Sequence, residues 1–316
     1  MADKKLIAVV GATGAQGGGV VQAILKDKAG PFRVRAITRN PGSDAGKALA
    51  AQGAEVVAGD LADPKSLDRA FAGAHGVYGV TFYWAHMNPE KETADARAIA
   101  DAARRAGTKH VIWSTLEDTR KLIPLSDNRM PTLLGRYKVP HFDAKAEADP
   151  YFLELGVPTT FLLASFYWEN FIFFGAGPKP GPDGKLLLTM PMGGEKLAGI
   201  AAADIGACAY GIFKRGGEFI GKRVGLAGDQ LTGSEMAAGL SKALGREVRY
   251  NDVPPEVYRS FGFPGADDMG NMFQYYRDFA EAVNSVRSVE GSRALYPGLQ
   301  SFDQWLAKNA SRIPLE

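Results

Sequence analysis

Short apolar runs rich in β-branched residues recur through the first half of the chain: Leu6–Val10, Val34–Thr38, Glu55–Ala58, Val77–Val80, Val111–Ser114 and Thr159–Leu163. Runs of this kind suit parallel strands covered on both faces. Helix-length segments alternate with them: Gln16–Lys28, Ser43–Gln52, Pro64–Phe71, Pro89–Ala106 and Phe142–Leu155. Asp63 and Asn88 each stand before a proline, which places a capping side chain ahead of a proline at the first helical position. Gly107 follows Arg104 and Arg105, where glycine ends a helix and cations favour its dipole. Strand and helix alternating in this way predict an α/β fold with a doubly wound parallel sheet.

The second half is less regular. Phe171–Gly194 is rich in Gly and Pro, with a Pro182-Asp183-Gly184 turn before a strand over Lys185–Met190. Asp204–Phe213 reads as a helix and Arg223–Leu226 as a strand. Thr232 and Glu235 form a capping box that opens a helix to Leu244, stopped by Gly245. Residues 254–310 read as mostly helical. The expected division is a Rossmann domain over 1–157, rejoined by strands near 158–164 and 197–226. A smaller mixed α/β C-terminal lobe would take 165–196 and 227–316.

Composition narrows the function. With 46% hydrophobic and 23% charged residues in 316, the chain is of ordinary globular type. Its 37 basic and 35 acidic residues leave a net charge of +2 with no block of one sign, so a direct nucleic-acid or membrane-surface role has no electrostatic support. A single cysteine, Cys208, fits a reducing, cytoplasmic setting. The longest apolar stretches, Phe161–Gly177 and Leu197–Phe213, each carry an acid (Glu169, Asp204) and are too short to span a bilayer. His75, His86, His110 and His141 show no metal-ligand spacing. The aromatic run at 166–174 fits a substrate pocket, but such runs more often serve as core or interface.

The most informative segment is Val9-Val10-Gly11-Ala12-Thr13-Gly14-Ala15-Gln16-Gly17, between the first strand and first helix. Its G-x-x-G-x-x-G spacing permits a tight turn, backbone approach to a pyrophosphate and close helix–strand packing. The helix N-terminus adds N–H groups and a positive dipole end. Glycines alone would also close an ordinary βα turn; the strand before and the helix after them favour the phosphate reading. The second strand ends Ile37-Thr38-Arg39-Asn40 with no acid in reach of a ribose 2′-hydroxyl. Arg39 instead suits a 2′-phosphate, pointing to NADP(H) rather than NAD(H), against the plainer reading of a solvated arginine. Asp60 stands near an expected adenine site, or serves as a loop acid.

These residues, with Thr38-Arg39-Asn40-Pro41, Gln52–Val57, Tyr83-Trp84, His141–Lys145, Tyr167–Asn170 and Phe263–Asp267, resemble the NmrA-like family of atypical short-chain dehydrogenase/reductases. The resemblance runs nearly end to end. It implies an NADP(H) site formed by Gly11, Ala12, Thr13, Gly14, Ala15, Gln16 and Gly17 at the phosphates and Arg39 at the 2′-phosphate. Asp60 and Leu61 would flank adenine. Thr81, Phe82, Tyr83, Lys145, Tyr167, Trp168, Glu169 and Asn170 would line the nicotinamide end. It further implies a redox or cofactor-ratio sensor with little dehydrogenase activity. The expected partners are NADP(H), a regulatory protein and a second copy of the chain as a homodimer. The alternative is an NADPH-dependent reductase of quinones or other small carbonyl or aromatic compounds.

The superfamily's Tyr-x-x-x-Lys becomes His141-Phe142-Asp143-Ala144-Lys145 here, with Ser114 where the superfamily's serine lies. The spacing survives and the tyrosine does not. His141 is then either a proton donor or a non-catalytic pocket residue, with Lys145 a ribose ligand. Phe82 stands where a small polar residue is expected. Pro150, inside the helix that carries His141 and Lys145, predicts a kink or break, since an interior proline costs about 3 kcal/mol.

Overall fold

A computed structural model describes residues 4–315. In chain order its first elements are β1 (Lys5–Val9), α1 (Ala15–Lys26), β2 (Phe32–Thr38), α2 (Asp44–Ala51), β3 (Glu55–Ala58), α3 (Pro64–Phe71), β4 (Gly76–Gly79), α4 (Pro89–Ala106), β5 (His110–Thr115), α5 (Pro140–Glu154) and β6 (Thr159–Leu163). Then come β7 (Phe166–Tyr167), α6 (Asn170–Phe173), β8 (Lys179–Pro180), β9 (Leu186–Met190), β10 (Lys196–Ile200), α7 (Ala202–Arg215), β11 (Arg223–Leu226), β12 (Asp229–Thr232), α8 (Gly233–Leu244) and β13 (Val248–Asp252). The last are α9 (Pro255–Arg259), α10 (Ala266–Asp278), α11 (Ala280–Ser285), β14 (Arg287–Ser288), α12 (Val289–Leu295) and α13 (Phe302–Asn309).

The chain forms two compact units. The first takes residues up to Asp118, Ala144–Ala164 and Ala203–Val224; the second takes Thr119–Asp143, Ser165–Ala202 and the chain from Gly225. The first is a parallel sheet in the order β11-β6-β5-β4-β1-β2-β3 with helices packed on it. The order runs outward in both directions from the centre, as in a doubly wound fold. Ile7, Val9, Val77, Val111 and Ile112 are fully buried, which is why these strands read as unbroken apolar runs. The capping signals act as expected. Asp63 accepts from the Lys65 N–H, Asn88 from the Lys91 N–H, and Gly107 ends α4 in the left-handed region.

In the second unit, β12-β10-β7 and β13-β9-β8 form two small sheets. The helices α8–α13 make up most of its C-terminal part. Thr232 and Glu235 form the capping box of α8, which Gly245 ends at φ 64°. The last residues of β11, Gly225 and Leu226, pair in parallel with Arg287 and Ser288 of β14.

Three details differ from the sequence reading. Residues 119–143 cluster with the second unit instead of the Rossmann unit. Long-range polar bonds draw them there: Asn271 Nδ2 donates to the carbonyls of Pro131 (2.9 Å) and Lys138 (2.6 Å). Inside this stretch, Asp143 Oδ1 accepts from Thr119 N–H, its Oδ2 accepts from Lys138 N–H, and Lys138 Nζ donates to the carbonyls of Asp127 and Met130. Second, β10 does not rejoin the large sheet; it pairs with β12 and β7, and Gly199 lies against the Trp168 indole so closely that a Cβ would come within 2.3 Å of Nε1. Third, α5 runs through Pro150 without a break. Asp149, next to the proline, is tied to Trp113, Thr115 and Arg223, which anchors the helix by tertiary bonds. Among the described residues, no helix is long and apolar enough to cross a membrane.

Candidate functional site

The glycine loop leaves β1 through Val10, whose N–H donates to the Tyr78 carbonyl at 2.9 Å. Gly11 turns the chain at φ 64°, a conformation open to glycine without strain. Gly14 N–H then donates to the Gly11 carbonyl (2.9 Å), and Gly14 is the N-cap of α1. No side chain caps it and no acid lies in the first turn. The first helical bond runs from Gly18 N–H to Gly14 O, so the N–H groups of the opening turn face out of the helix end. That is the arrangement an anion takes. The third glycine is demanded by packing: a Cβ on Gly17 would sit 2.4 Å from the Gly11 carbonyl oxygen. Gly19 and Gly206 let α1 and α7 cross at backbone contact, since a Cβ on Gly206 would lie 2.1 Å from Val20 N.

Gln16 is anchored on the sheet side. Its Oε1 accepts from the Tyr78 hydroxyl and from Ser114 Oγ (2.9 Å). Ser114 is therefore a buried donor to the glycine loop. Arg39 stands exposed just past the end of β2, whereas Arg35 is committed to Glu55 and to the carbonyls of Ala70 and Ala72. Asp60 builds its own turn, with Oδ1 accepting from Ala62 N–H at 2.9 Å. Leu61 packs half-buried on the core.

Beyond β4 a buried polar cluster stands out. Lys145 Nζ donates to Thr81 Oγ1 (2.6 Å) and to the Thr81 carbonyl (3.3 Å), and lies 2.7 Å from Glu92 Oε1. Thr81 Oγ1 donates in turn to Glu92 Oε1. The ammonium also rests 5.3 Å from the centre of the Trp113 ring. Glu92 is wholly buried. Burial pushes its carboxyl up, but Lys145, Thr81 and His86 outweigh that and hold it below its ordinary range. Its Oε2 lies 3.3 Å from His86 Nε2, and among the described residues neither atom has a hydrogen-bond partner. The segment that carries His86 is a 3-10 turn over Tyr83–Ala85 followed by Met87 at φ 47°, a left-handed position held by a non-glycine residue. Tyr83 is buried and Phe82 is 58% exposed.

His141 belongs to the second unit. Its Nδ1 lies 2.6 Å from Asp268 Oδ1, and its backbone N–H donates to Asp268 Oδ2. Both side chains are buried. Trp168 is also core there, its ring tilted against those of Phe302 and Trp305. Glu169 accepts from Trp305 Nε1 (3.0 Å) and Ala202 N–H (2.8 Å). Tyr167 is half-buried and Asn170 opens α6.

The model of the NmrA-like family matches residues 3–306. The chain belongs to the NmrA-like family. It is 30% identical over 292 residues to an NmrA-like family domain-containing oxidoreductase, FrzB, from Cladobotryum sp., covering 85% of this chain and 83% of that protein. It is 32% identical over 248 residues to an NAD(P)H azoreductase from Xenophilus azovorans, covering 78% and 76%. The structure of NmrA, a negative transcriptional regulator, in complex with NADP superposes with a TM-score of 0.77 at 26% identity over 96% of this chain and 95% of that one.

Within the first unit of this NmrA-like chain, Gln16 meets Ser114 and Lys145 meets Thr81, as site residues placed together. The sequence reading did not single out Glu92, His86 as its neighbour, or Asp268. Glu92 carried a signal: it shares the helical stripe of Ala96, Ile99 and Ala103, all buried, and an acid on an apolar stripe requires a partner. Asp268 lies 127 residues from His141 and carried none.

Proposed function

We propose that this chain binds NADP(H) at the N-terminus of α1 and acts as a cofactor-responsive regulatory protein, with a protein partner and slow or absent hydride transfer. The observation that carries the reading is the uncapped α1 N-terminus, where glycines at 11, 14 and 17 leave backbone room for a pyrophosphate. Thr13, Ala15 and Gln16 lie in the same turn. Arg39, exposed past β2 with no acid beside it in sequence, suits a 2′-phosphate. NmrA has been crystallised with NAD and with NADP, which supports the cofactor class.

The bound cofactor would supply hydride; the chain's own residues are poorly arranged to supply the proton. Ser114 donates to Gln16, and the ring of His141 is paired with the buried Asp268. This favours sensing over turnover. A reducing, cytoplasmic location fits a chain whose one cysteine, Cys208, is buried. The reductase reading rests on the relatives, which include an azoreductase and proteins named as oxidoreductases.

Calorimetric titration with NADPH, NADP, NADH and NAD tests the cofactor reading. NADPH oxidation followed by absorbance across quinones, azo dyes and small carbonyls then tests the rest. Tight NADP(H) binding with slow oxidation is expected. Fast turnover would establish the reductase instead.

A further inference from the structure

The Lys145 ammonium has three N–H donors, and three acceptors meet it: Thr81 O, Thr81 Oγ1 and Glu92 Oε1. No proton of Lys145 is left for a cofactor hydroxyl while these contacts stand. A ligand that engages Lys145 must take the ammonium from Glu92, at least in part. Glu92 would then be a carboxylate without its cation, wholly buried, which is costly unless it is neutralised.

We propose that Glu92 is the positioning residue of Lys145, and that cofactor engagement of Lys145 is coupled to uptake of one proton by the Glu92 carboxyl. This rests on the NADP(H) reading above. Lys145 approaches from α5, and Thr81 and His86 from the segment after β4. On α4 itself Lys91 is turned to Asp95 at 2.8 Å. His86 does not serve as the replacement cation. Its Nδ1 already accepts from Asn88 N–H at 3.1 Å, and its Nε2 lies 3.3 Å from Glu92 Oε2 without a hydrogen bond. With the ammonium withdrawn, the carboxyl keeps only the Thr81 hydroxyl as a hydrogen-bond donor, at Oε1, while Oε2 has none. The balance is simple: one proton moves from solvent to the Glu92 carboxyl, and the Lys145 ammonium keeps its own three. Burial is the largest influence on Glu92 and raises its carboxyl, and Lys145 is the largest influence against it.

The test is isothermal calorimetry of the full chain with NADPH near pH 7, in buffers of different ionisation enthalpy. The buffer dependence of the heat counts protons. Glu92→Gln provides the reference, since it removes the titrating group and cancels protons taken up by the cofactor's own 2′-phosphate. Lys145→Gln is a second reference that keeps the carboxyl but removes its displaced cation. The expected result is close to one extra proton per cofactor in the wild type relative to either variant, retained in His86→Gln. A heat that varies with buffer no more in the wild type than in the variants overturns the coupling while leaving the cofactor reading intact. No binding heat in any buffer, confirmed by absent NADPH fluorescence change, overturns both.

Discussion

His141 Nδ1 lies 2.6 Å from Asp268 Oδ1, and the same aspartate accepts the backbone N–H of His141 through Oδ2. One carboxylate thus fixes both the ring and the start of α5, across 127 residues of sequence. His141 is here part of the packing of the second unit. Removal of the acid should be felt as lost stability. Asp268→Ala is expected to lower stability by about 1.5–3 kcal/mol, the range for a hydrogen bond to a charged group. Denaturant unfolding checks this, and an unchanged midpoint would show that the pair contributes nothing net.

Cofactor choice should depend on Arg39. NADPH is expected to bind more tightly than NADH, and Arg39→Ala to remove most of the difference, a loss of roughly ten- to a hundredfold. Calorimetry with both cofactors measures it. Equal affinities in the unmutated protein would dismiss the assignment.

The glycine loop separates binding from folding. A Cβ on Gly14 would stand 3.2 Å from the Gly11 carbonyl oxygen, a contact that small adjustments relieve. Gly14→Val should abolish cofactor binding, because the branched side chain fills the phosphate cradle, while far-UV circular dichroism stays unchanged. Gly17→Ala places its methyl 2.4 Å from the same oxygen. It should cost about 1–3 kcal/mol of stability by overpacking, seen as a lower Tm.

A pH dependence of stability should trace to His110. Its Nε2 lies 2.8 Å from Thr160 Oγ1. Burial, with a smaller push from His75, lowers this imidazole from 6.5 to about 4. The folded chain keeps the ring neutral while the unfolded chain takes up a proton. Stability from this group is therefore complete above pH 6.5 and is lost as pH falls from there towards 4. The full effect corresponds to about 3 kcal/mol. His110→Gln should flatten that part of the curve in denaturant titrations at several pH values. A variant curve parallel to the wild type would mean the loss comes from other groups.

The Rossmann unit was legible because its signals are local. Strands buried on both faces read as apolar runs, and Asp63, Asn88 and Gly107 mark helix ends with their own backbone neighbours. The glycine loop was legible for the same reason: each glycine answers a constraint within a few residues. The site beyond β4 was only half legible. Lys145 stood at a recognised spacing, but its partner Glu92 is set by the packing of α4 on the sheet. The reach of 119–143 into the second unit was not legible, since it hangs on Asn271 and Asp268, more than a hundred residues away. In the run 166–174 the structure splits core from surface. Phe166, Trp168 and Phe171 are buried while Phe173 and Phe174 are exposed, a distinction that composition does not make.

The crossing of Gly19 with the backbone around Gly206 also governs the order in which the chain can fold during synthesis. The face of α1 that Gly19 leaves bare waits for a helix that emerges from the ribosome nearly two hundred residues later, and the strand β11 of the first unit later still. The nucleotide-binding unit is thus completed late in translation, after two segments of its companion, Thr119–Asp143 and Ser165–Ala202, have been made. A nascent chain halted between β6 and α7 should present that face to solvent and be a substrate for chaperones and proteases, although its glycine loop and five central strands are already in place.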